Sequence, residues 1–253
     1  MSGLFDLTGK KAVVTGGGTG IGLGMAEALA DCGASVEIWG RRQHKLDEAA
    51  AKNPARGLTT RSVDVADEAA VQEGFEASVK DNGGLDIVII NAGVGNGHIP
   101  LLEVTADQFH EVTKINLDGA FWTLREAAKH MVAAKNGGSI IAISSLAAVD
   151  ATPNNYAYGA SKSGVVGMVK AAAVELARHQ IRVNAVLPGW IATDMTEGAQ
   201  GSELFNEKVI KRVPIRRWGQ PADFAGMAVY LASDASSYQT GTSTLIDGGY
   251  SIF

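Results

Sequence analysis

The stretch VVTGGGTGIGLG, residues 13–24, joins an apolar run to an amphipathic run through a cluster of glycines. It predicts a strand, a tight turn and a helix, which is the order that a phosphate-binding site for a nucleotide requires. Gly16 allows a sharp turn out of the strand, Gly20 allows the backbone to approach a phosphate, and Gly22 allows the helix to pack near the sheet. The free N–H groups of the helix N-terminus then face the pyrophosphate. Because glycine-rich turns are common, an ordinary loop remains an alternative on this stretch alone.

Outward from this stretch, short apolar runs alternate with longer amphipathic ones along the whole chain. The strands are nearly continuous apolar runs, which are typical of parallel strands covered on both faces. This alternation predicts an α/β fold, one doubly wound domain over residues 1–253, with helices on both faces of a mostly parallel sheet. Glu37, inside the second strand, is interpreted as facing solvent near a strand end. Strands are predicted at 11–15, 34–40, 59–65, 85–91, 138–145, 181–188 and 243–248, and helices at 21–32, 43–52, 67–80, about 105–134 and 156–179.

The composition excludes several classes of function. With 22 basic and 27 acidic residues, the net charge is -5, so the chain has no general attraction for nucleic acid or an anionic membrane. The single cysteine, Cys32, cannot form an internal disulfide, and we interpret it as a small buried hydrophobe. No secretion signal is visible, and no apolar run reaches the ~18 residues of a membrane span. We therefore expect a soluble, cytoplasmic protein with a small-molecule substrate and no metal.

The end of the second strand indicates which dinucleotide binds. An acidic residue about 20 positions after the glycines would hold the ribose hydroxyls of NAD. Here the sequence reads WGRRQ, and Arg41 and Arg42 suit a 2′-phosphate through charge-assisted bonds. NADP(H) is favoured. NAD(H) stays an alternative, because an arginine can also stack over adenine and both could be solvated residues at a helix start.

The stretch YAYGASK, residues 156–162, places a phenol beside a cation. On a helix, Tyr158 and Lys162 share a face, whereas Tyr156 pairs with Ala160. An ammonium stabilises a phenolate and lowers the phenol's pKa from its usual value of about 10. A phenol tuned in this way can donate or accept a proton in catalysis. On this motif alone, a surface pairing remains an alternative.

The strand before this helix ends in Ser144 and Ser145. Ligands of open α/β sheets bind outside the carboxyl ends of the strands, so both hydroxyls lie in the zone of a ligand. A serine there could donate a hydrogen bond to a substrate oxygen as charge develops on it. The alternative for either serine is a strand-end cap.

Together these motifs closely resemble the short-chain dehydrogenase/reductase family over the whole chain. The resemblance implies a single-domain Rossmann fold with a seven-stranded sheet. It also implies reversible hydride transfer between a nicotinamide and a ketone or secondary alcohol. The matching segments, in the family's order, are TGGGTGIG (15–22), NAG (91–93), NLDG (116–119), YGASK (158–162) and PGWIAT (188–193).

The resemblance also implies the roles of single residues. Tyr158 is the acid/base, and Lys162 lowers its pKa and binds the nicotinamide ribose. Ser145 is preferred over Ser144 because it lies thirteen residues before Tyr158, the family's usual separation. Asn116 holds a water in a proton relay through Lys162, or alternatively ties down a kink in its helix.

For the cofactor, the resemblance assigns Asp64 to the adenine amino group, Asn91 to the ribose, and Ile191 and Thr193 to the carboxamide. Thr19 stands where a basic residue would strengthen the preference for NADP. The predicted cofactor residues are Gly16, Thr19, Gly20, Ile21, Gly22, Arg41, Arg42, Asp64, Val65, Asn91, Ala92, Gly93, Tyr158, Lys162, Pro188, Gly189, Ile191 and Thr193.

The substrate pocket should be formed by residues that follow the carboxyl ends of the strands. Because most candidates are apolar, we expect a neutral ketone or alcohol of moderate size. Residues 192–213 are interpreted as a mobile lid over the pocket. The predicted substrate contacts are Val94, Ser145, Ala147, Asn155, Trp190 and Met195.

Assembly and rival functions follow from the same features. The helices at about 105–134 and 156–179 are apolar on more than one face, so each should be covered on two sides. Because the family commonly pairs subunits through these helices, we predict a homotetramer. The alternative functions are a dinucleotide-binding sensor or scaffold without catalysis, and nucleotide-sugar epimerase or dehydratase chemistry.

Overall fold

The computed structural model describes residues 2–95 and 97–253 and contains one seven-stranded sheet. The strand order is β3-β2-β1-β4-β5-β6-β7, and every neighbouring pair is parallel. The order reverses between β1 and β4, which is the switch point where ligands bind in doubly wound folds. The predicted α/β architecture is confirmed. The strands are β1 Lys11–Thr15, β2 Ser35–Gly40, β3 Thr59–Ser62, β4 Ile87–Ile90, β5 Gly138–Ile143, β6 Ile181–Pro188 and β7 Ser243–Ile246.

Helices cover both faces of the sheet and bury two separate apolar cores. On one face α1, α2 and α9 bury Leu29, Leu46 and Ala228 against the strands. On the other face α3, α5 and α6 bury Phe75, Met131 and Val169. The α-helices are α1 Gly20–Asp31, α2 Gln43–Lys52, α3 Glu68–Asn82, α4 Ala106–Thr113, α5 Gly119–Ala134, α6 Tyr156–Leu176, α7 Glu197–Gln200, α8 Glu203–Ile210 and α9 Ala225–Ala232.

Several helical regions differ from the sequence prediction, including α7 and α8, which lie in the segment interpreted as a lid. The helix expected at about 105–134 is interrupted by a π-helical turn, Lys114–Asp118, between α4 and α5. The interruption supports the alternative in which Asn116 lies at a kink. The helix α9 was missed because its segment AGMAVYLA is short and apolar on nearly every side, so periodicity cannot identify it.

No helix in the described ranges is long and apolar enough to cross a membrane. Within residues 2–95 and 97–253, no group of three or more His, Cys, Asp or Glu side chains could hold a metal ion.

The interpretation of Glu37 as solvent-facing is wrong. Its side chain is buried, with the residue 3% exposed, because α3 covers this part of β2. The carboxylate accepts hydrogen bonds from Trp39 Nε1 at 3.1 Å and from Arg61 Nε at 3.0 Å, and a third from the Ser78 hydroxyl. Arg61 also reaches Asp81 at 2.8 Å. A buried carboxylate is tolerated here because a cation and two further donors satisfy it.

Replacing Glu37 with alanine should lower the free energy of unfolding by about 2–4 kcal/mol, because Trp39 Nε1 and the Ser78 hydroxyl lose their buried acceptor while Arg61 keeps only its ion pair with Asp81. The matched control is Glu73→Ala, an exposed acid on α3, which should change stability by less than about 0.5 kcal/mol. Urea denaturation of the two variants measures the difference. If both substitutions lowered the free energy of unfolding equally, the buried Glu37 carboxylate would contribute no more to stability than an exposed acid.

Candidate active site

A cleft runs along the carboxyl edge of the sheet, on both sides of the switch between β1 and β4. The glycine loop, the ends of β2 and β5, the NAG turn, α6 and the end of β6 all contribute to its lining. Every residue predicted to bind cofactor lines this cleft except Gly22.

Hydrogen bonds of Asn91 join the NAG turn to the glycine loop. Its Nδ2 donates to the carbonyl oxygens of Thr15 and Gly16, each at 3.1 Å. In return, Thr15 Oγ1 accepts from the backbone N–H groups of Asn91 at 3.0 Å and Ala92 at 3.1 Å. Gly16 has a φ of 63°, and a Cβ at Gly22 would lie 2.4 Å from Asn91 Nδ2. Gly22 therefore permits the close packing behind the cleft instead of lining it.

The two serines after β5 have different surroundings. Ser144 is buried and donates to the carbonyl oxygen of Lys162 at 2.8 Å, so its hydroxyl is used within the fold. Ser145 Oγ accepts from the N–H of Ala147 at 3.1 Å and hydrogen-bonds the phenol of Tyr158. The geometry agrees with the preference for Ser145, which also caps the turn that follows it.

Lys162 is 5% exposed, and its Nζ donates to the carbonyl oxygen of Ile143 at 2.9 Å. The same nitrogen lies 5.7 Å from the centre of the Tyr158 ring. The predicted pair is therefore brought together on one face of α6, at the cleft. Tyr156 is not part of the cleft lining.

Burial shifts both pKa values against the charged forms. It lowers the pKa of Lys162 to about 8. It also raises the pKa of Tyr158, an effect that the hydrogen bond from Ser145 only partly offsets. The sequence predicts a lowered pKa for this phenol, whereas desolvation raises the pKa of Tyr158 in the folded protein.

Asn116 is 1% exposed and lies in the π-helical turn. Its Nδ2 donates to the carbonyl oxygen of Val94, and its Oδ1 accepts from the Val94 N–H, both at 2.8 Å. Its Nδ2 also lies 3.4 Å from Ser161 Oγ, next to Lys162. The side chain thus ties the segment after the NAG turn to α6. The predicted water relay through Asn116 stays a prediction.

Three cations stand where the cleft meets α2. Arg41 and Arg42 are exposed and line the cleft, as predicted. Lys45 also lines it and makes an ion pair with Glu48 at 2.8 Å. The sequence could have indicated Lys45, because it follows Arg41 by four residues at the start of a predicted helix. The other cleft residues that sequence reasoning missed are Gly18, Gly40, Leu46, Val63, Ile115, Ile143, Asp194 and Thr196.

The proposed substrate side is only partly within the cleft. The segment 192–213 folds as a short turn followed by α7 and α8, and Phe205 of α8 packs against Trp190 with ring centres 4.9 Å apart. Trp218 and Tyr250 complete this cluster of rings, at 6.2 and 6.4 Å from Trp190. Of the six predicted substrate contacts, Val94, Ser145 and Met195 line the cleft, and Ala147, Asn155 and Trp190 lie outside its lining.

Comparison with known proteins gives the family. A family model described as enoyl-(acyl carrier protein) reductase matches residues 16–251. Gluconate 5-dehydrogenase of Gluconobacter oxydans (strain 621H) is 37% identical over 251 residues, covering 98% of this chain and 97% of that protein. A structure described as a short-chain alcohol dehydrogenase from Sinorhizobium meliloti 1021 is 39% identical, with a TM-score of 0.94 and 98% of each chain covered. The chain belongs to the short-chain dehydrogenase/reductase family.

Membership of this family makes the chain an NAD(P)-dependent oxidoreductase of the class that acts on CH–OH groups. A further similar structure is a gluconate 5-dehydrogenase from Burkholderia cenocepacia J2315 in complex with NADP and tartrate. It is 33% identical to the chain, has a TM-score of 0.94, and covers 99% of this chain and 98% of its own. In the present member of the short-chain dehydrogenase/reductase family, the glycine loop and the helix N-terminus behind it fit the pyrophosphate of a dinucleotide.

Replacing Lys162 with methionine should raise the free energy of unfolding at pH 7 by up to about 3 kcal/mol, because it removes a buried cation. The folded-state pKa of Lys162, about 8, lies below its usual value of 10.5, so the cost of burying the ammonium is fully present below pH 8. This cost declines as the pH rises from 8 towards 10.5. At pH 9.5 the stability gained by Lys162→Met should therefore be less than half as large as at pH 7.

The measurement is urea denaturation at pH 7 and 9.5, with Lys170→Met as the control on the exposed side of α6. The control should show no such gain. If Lys162→Met were less stable than the parent protein at pH 7, burial would not be the dominant influence on this ammonium.

Proposed function

We propose that the chain interconverts a ketone and a secondary alcohol by hydride transfer, with NADP(H) favoured over NAD(H). The observation that supports this most strongly is the meeting of Ser145, Tyr158 and Lys162 at the same cleft that the glycine loop lines. These groups come from different parts of the chain, the turn after β5 and the helix α6, and they meet at one end of the cleft.

In the proposed reaction, the hydroxyls of Ser145 and Tyr158 both donate hydrogen bonds to the carbonyl oxygen of the substrate. NADPH, when bound, supplies the hydride. The raised pKa of Tyr158 keeps the proton on Oη at neutral pH, so the phenol enters carbonyl reduction as an acid. The Lys162 ammonium, whose pKa is about 8, is mostly charged at pH 7 and stabilises the phenolate that forms. Asn116 holds the neighbouring backbone of Val94 in place.

The preference for NADP(H) is supported by Arg41, Arg42 and Lys45, which line one end of the cleft. A 2′-phosphate adds negative charge there, and guanidinium groups bind phosphate oxygens strongly. The Lys45–Glu48 ion pair is exposed on both sides, so the ammonium can exchange Glu48 for a phosphate at low cost.

The homotetramer and the lid function of residues 192–213 are part of the same proposal. On α6, Val174 is 83% exposed in the single chain, and a neighbouring subunit would cover it.

Replacing Tyr158 with phenylalanine should lower kcat by about 10³-fold, because general acid catalysis contributes roughly 10²–10⁴. The dissociation constant for NADPH should change less than about threefold, since the glycine loop and the cations are untouched. Absorbance at 340 nm with a ketone panel measures the rate, and fluorescence titration measures binding. Tyr156→Phe is the control and should retain activity.

Full activity in the Tyr158→Phe variant would show that the phenol is not the proposed acid. Tight binding of NADPH by the parent protein with no turnover of any carbonyl substrate would favour the sensor or scaffold alternative.

Replacing Arg41 or Lys45 with alanine should raise the KM for NADPH by about tenfold or more, with kcat and the KM for NADH little changed. The physical reason is the loss of a cation facing the 2′-phosphate. Lys52→Ala is the control, because Lys52 is exposed on the same helix and does not line the cleft. An equal rise in the KM for NADH would mean that these cations do not distinguish the two cofactors.

A further inference from the structure

Hydrogen bonds of Thr196 and Gln200 tie the start of the lid, residues 192–213, to the segment that lines the cleft. Thr196 Oγ1 donates to the carbonyl oxygen of Ile191 at 2.6 Å and accepts from the N–H of Thr193 at 3.1 Å. Gln200 Nε2, on α7, donates to Thr196 Oγ1 at 2.9 Å and to the carbonyl oxygen of Thr193 at 3.0 Å. The helix α7 is therefore bonded to the segment that lines the cleft.

Asn206, on α8, extends this network beyond the lid. Its Nδ2 donates to the backbone carbonyl oxygens of Gln200 at 2.6 Å and Ser202 at 3.0 Å, and its Oδ1 accepts from Trp218 Nε1 at 2.6 Å. The amide has a single orientation that satisfies these partners, because an indole N–H only donates and a carbonyl oxygen only accepts. Only the bond to Ser202 stays within α8 and its cap, so the stability of this helix does not account for the other two.

The network closes into a ring at Gly219. Its N–H donates to the carbonyl oxygen of Trp190, and its carbonyl oxygen accepts from the N–H of Ala192, both at 2.9 Å. These bonds form a short parallel bridge between Gly219 and Ile191, the residue at which the network begins. The ring therefore runs from Ile191 through α7, α8 and Trp218 back to Ile191.

The part of the ring outside the lid lies on a turn that has its own contacts. Trp218 follows Arg217, whose guanidinium donates to both carboxylate oxygens of Asp223 at 2.6 and 2.8 Å. The Arg217 guanidinium and the backbone N–H of Gln220 lower the pKa of Asp223 to about 2, so this two-point ion pair is charged at neutral pH. The turn is thus fixed independently of the lid, and Asn206 bonds the lid to it.

The ring borders the cleft through Ile191, Thr193 and Thr196, whereas Asn206 lies outside the lining. A Cβ at Gly20 would lie 3.2 Å from Thr193 Cγ2, so the two walls of the cleft meet at the N-terminus of α1. A dinucleotide bound along the glycine loop would be enclosed by the same segment, which has to move aside before the dinucleotide can leave.

We infer that Asn206 is a positioning residue for the cofactor, because its hydrogen bonds hold the lid against the turn that carries Trp218. With these bonds made, the segment that lines the cleft stays closed over NADP(H). When they break, the lid opens and the cofactor leaves. The inference rests on the proposed function, and it assigns to one side chain the control of how often the proposed lid opens.

Two rates distinguish this role from a role in the chemical step. Loss of the Asn206 bonds raises the population of the open lid, and dissociation of the cofactor becomes faster by the same factor. Hydride transfer depends on Ser145, Tyr158 and Lys162, which belong to other elements, so its rate in the closed complex stays nearly unchanged.

The test measures the dissociation rate of NADPH by stopped-flow fluorescence, with excess NADP+ as the displacing ligand. Asn206→Ala should raise this rate by about tenfold, and Trp218→Phe, which removes the indole N–H, should raise it by about fivefold. In single turnovers at saturating NADPH, with a ketone that the enzyme reduces, both variants should transfer hydride within about threefold of the parent rate.

Further variants test the shared bond and the side-chain volume. The double variant Asn206→Ala/Trp218→Phe should release NADPH no faster than Asn206→Ala alone, because that substitution already removes the acceptor of the Trp218 N–H. Asn206→Asp keeps the side-chain volume and loses only the Nδ2 donors, so it should also release NADPH faster than the parent protein. Lys208→Ala, at an exposed residue of α8, is the control and should leave both rates unchanged.

An unchanged dissociation rate of NADPH in Asn206→Ala would overturn the inference. It would also be overturned by effects that multiply in the double variant, or by slower hydride transfer with an unchanged dissociation rate. Failure of the proposed function looks different, because the parent protein would then bind NADPH and reduce no carbonyl compound. The dissociation rates would still decide the role of Asn206 in that case.

Discussion

The hydrogen bonds that Asn91 makes to Thr15 and Gly16 are the constraint on which the rest of the site depends. They fix the NAG turn after β4 against the glycine turn after β1, at the point where the strand order reverses. The next residues of the turn then approach the other half of the site. A Cβ at Gly93 would lie 3.2 Å from Asn116 Oδ1 and 3.4 Å from Lys162 Nζ. One turn therefore sets the spacing between the cofactor loop and the proposed reacting groups.

The site contains polar groups whose burial lowers the stability of the protein when no ligand is bound. Lys162 is a buried cation whose pKa falls to about 8, so its desolvation lowers stability at neutral pH. Outside the cleft lining, Asn155 and Trp190 each bury an unpaired polar atom. By contrast, the buried Glu37 carboxylate, which faces α3, is fully supplied with donors.

Local patterns were enough to predict much of this molecule. Continuous apolar runs indicated the parallel strands, and the spacing of four residues distinguished Tyr158 from Tyr156 because it reports helix geometry directly. The burial of Glu37 could not be predicted in this way, since its partners lie on β3 and α3 and no periodicity relates them. The missing partner of Trp190 likewise depends on how separate elements pack.

We propose that hydride transfer takes place at the Tyr158–Lys162 edge of the cleft. The most direct test uses NADPH deuterated at the transferred position of nicotinamide C4, with a ketone that the enzyme reduces and analysis of the product by mass spectrometry. The expected product is an alcohol with one deuterium on the former carbonyl carbon and on a single face. Alcohol formed without deuterium from either C4-labelled isomer of the cofactor, or oxidation of NADPH without any alcohol, would contradict it.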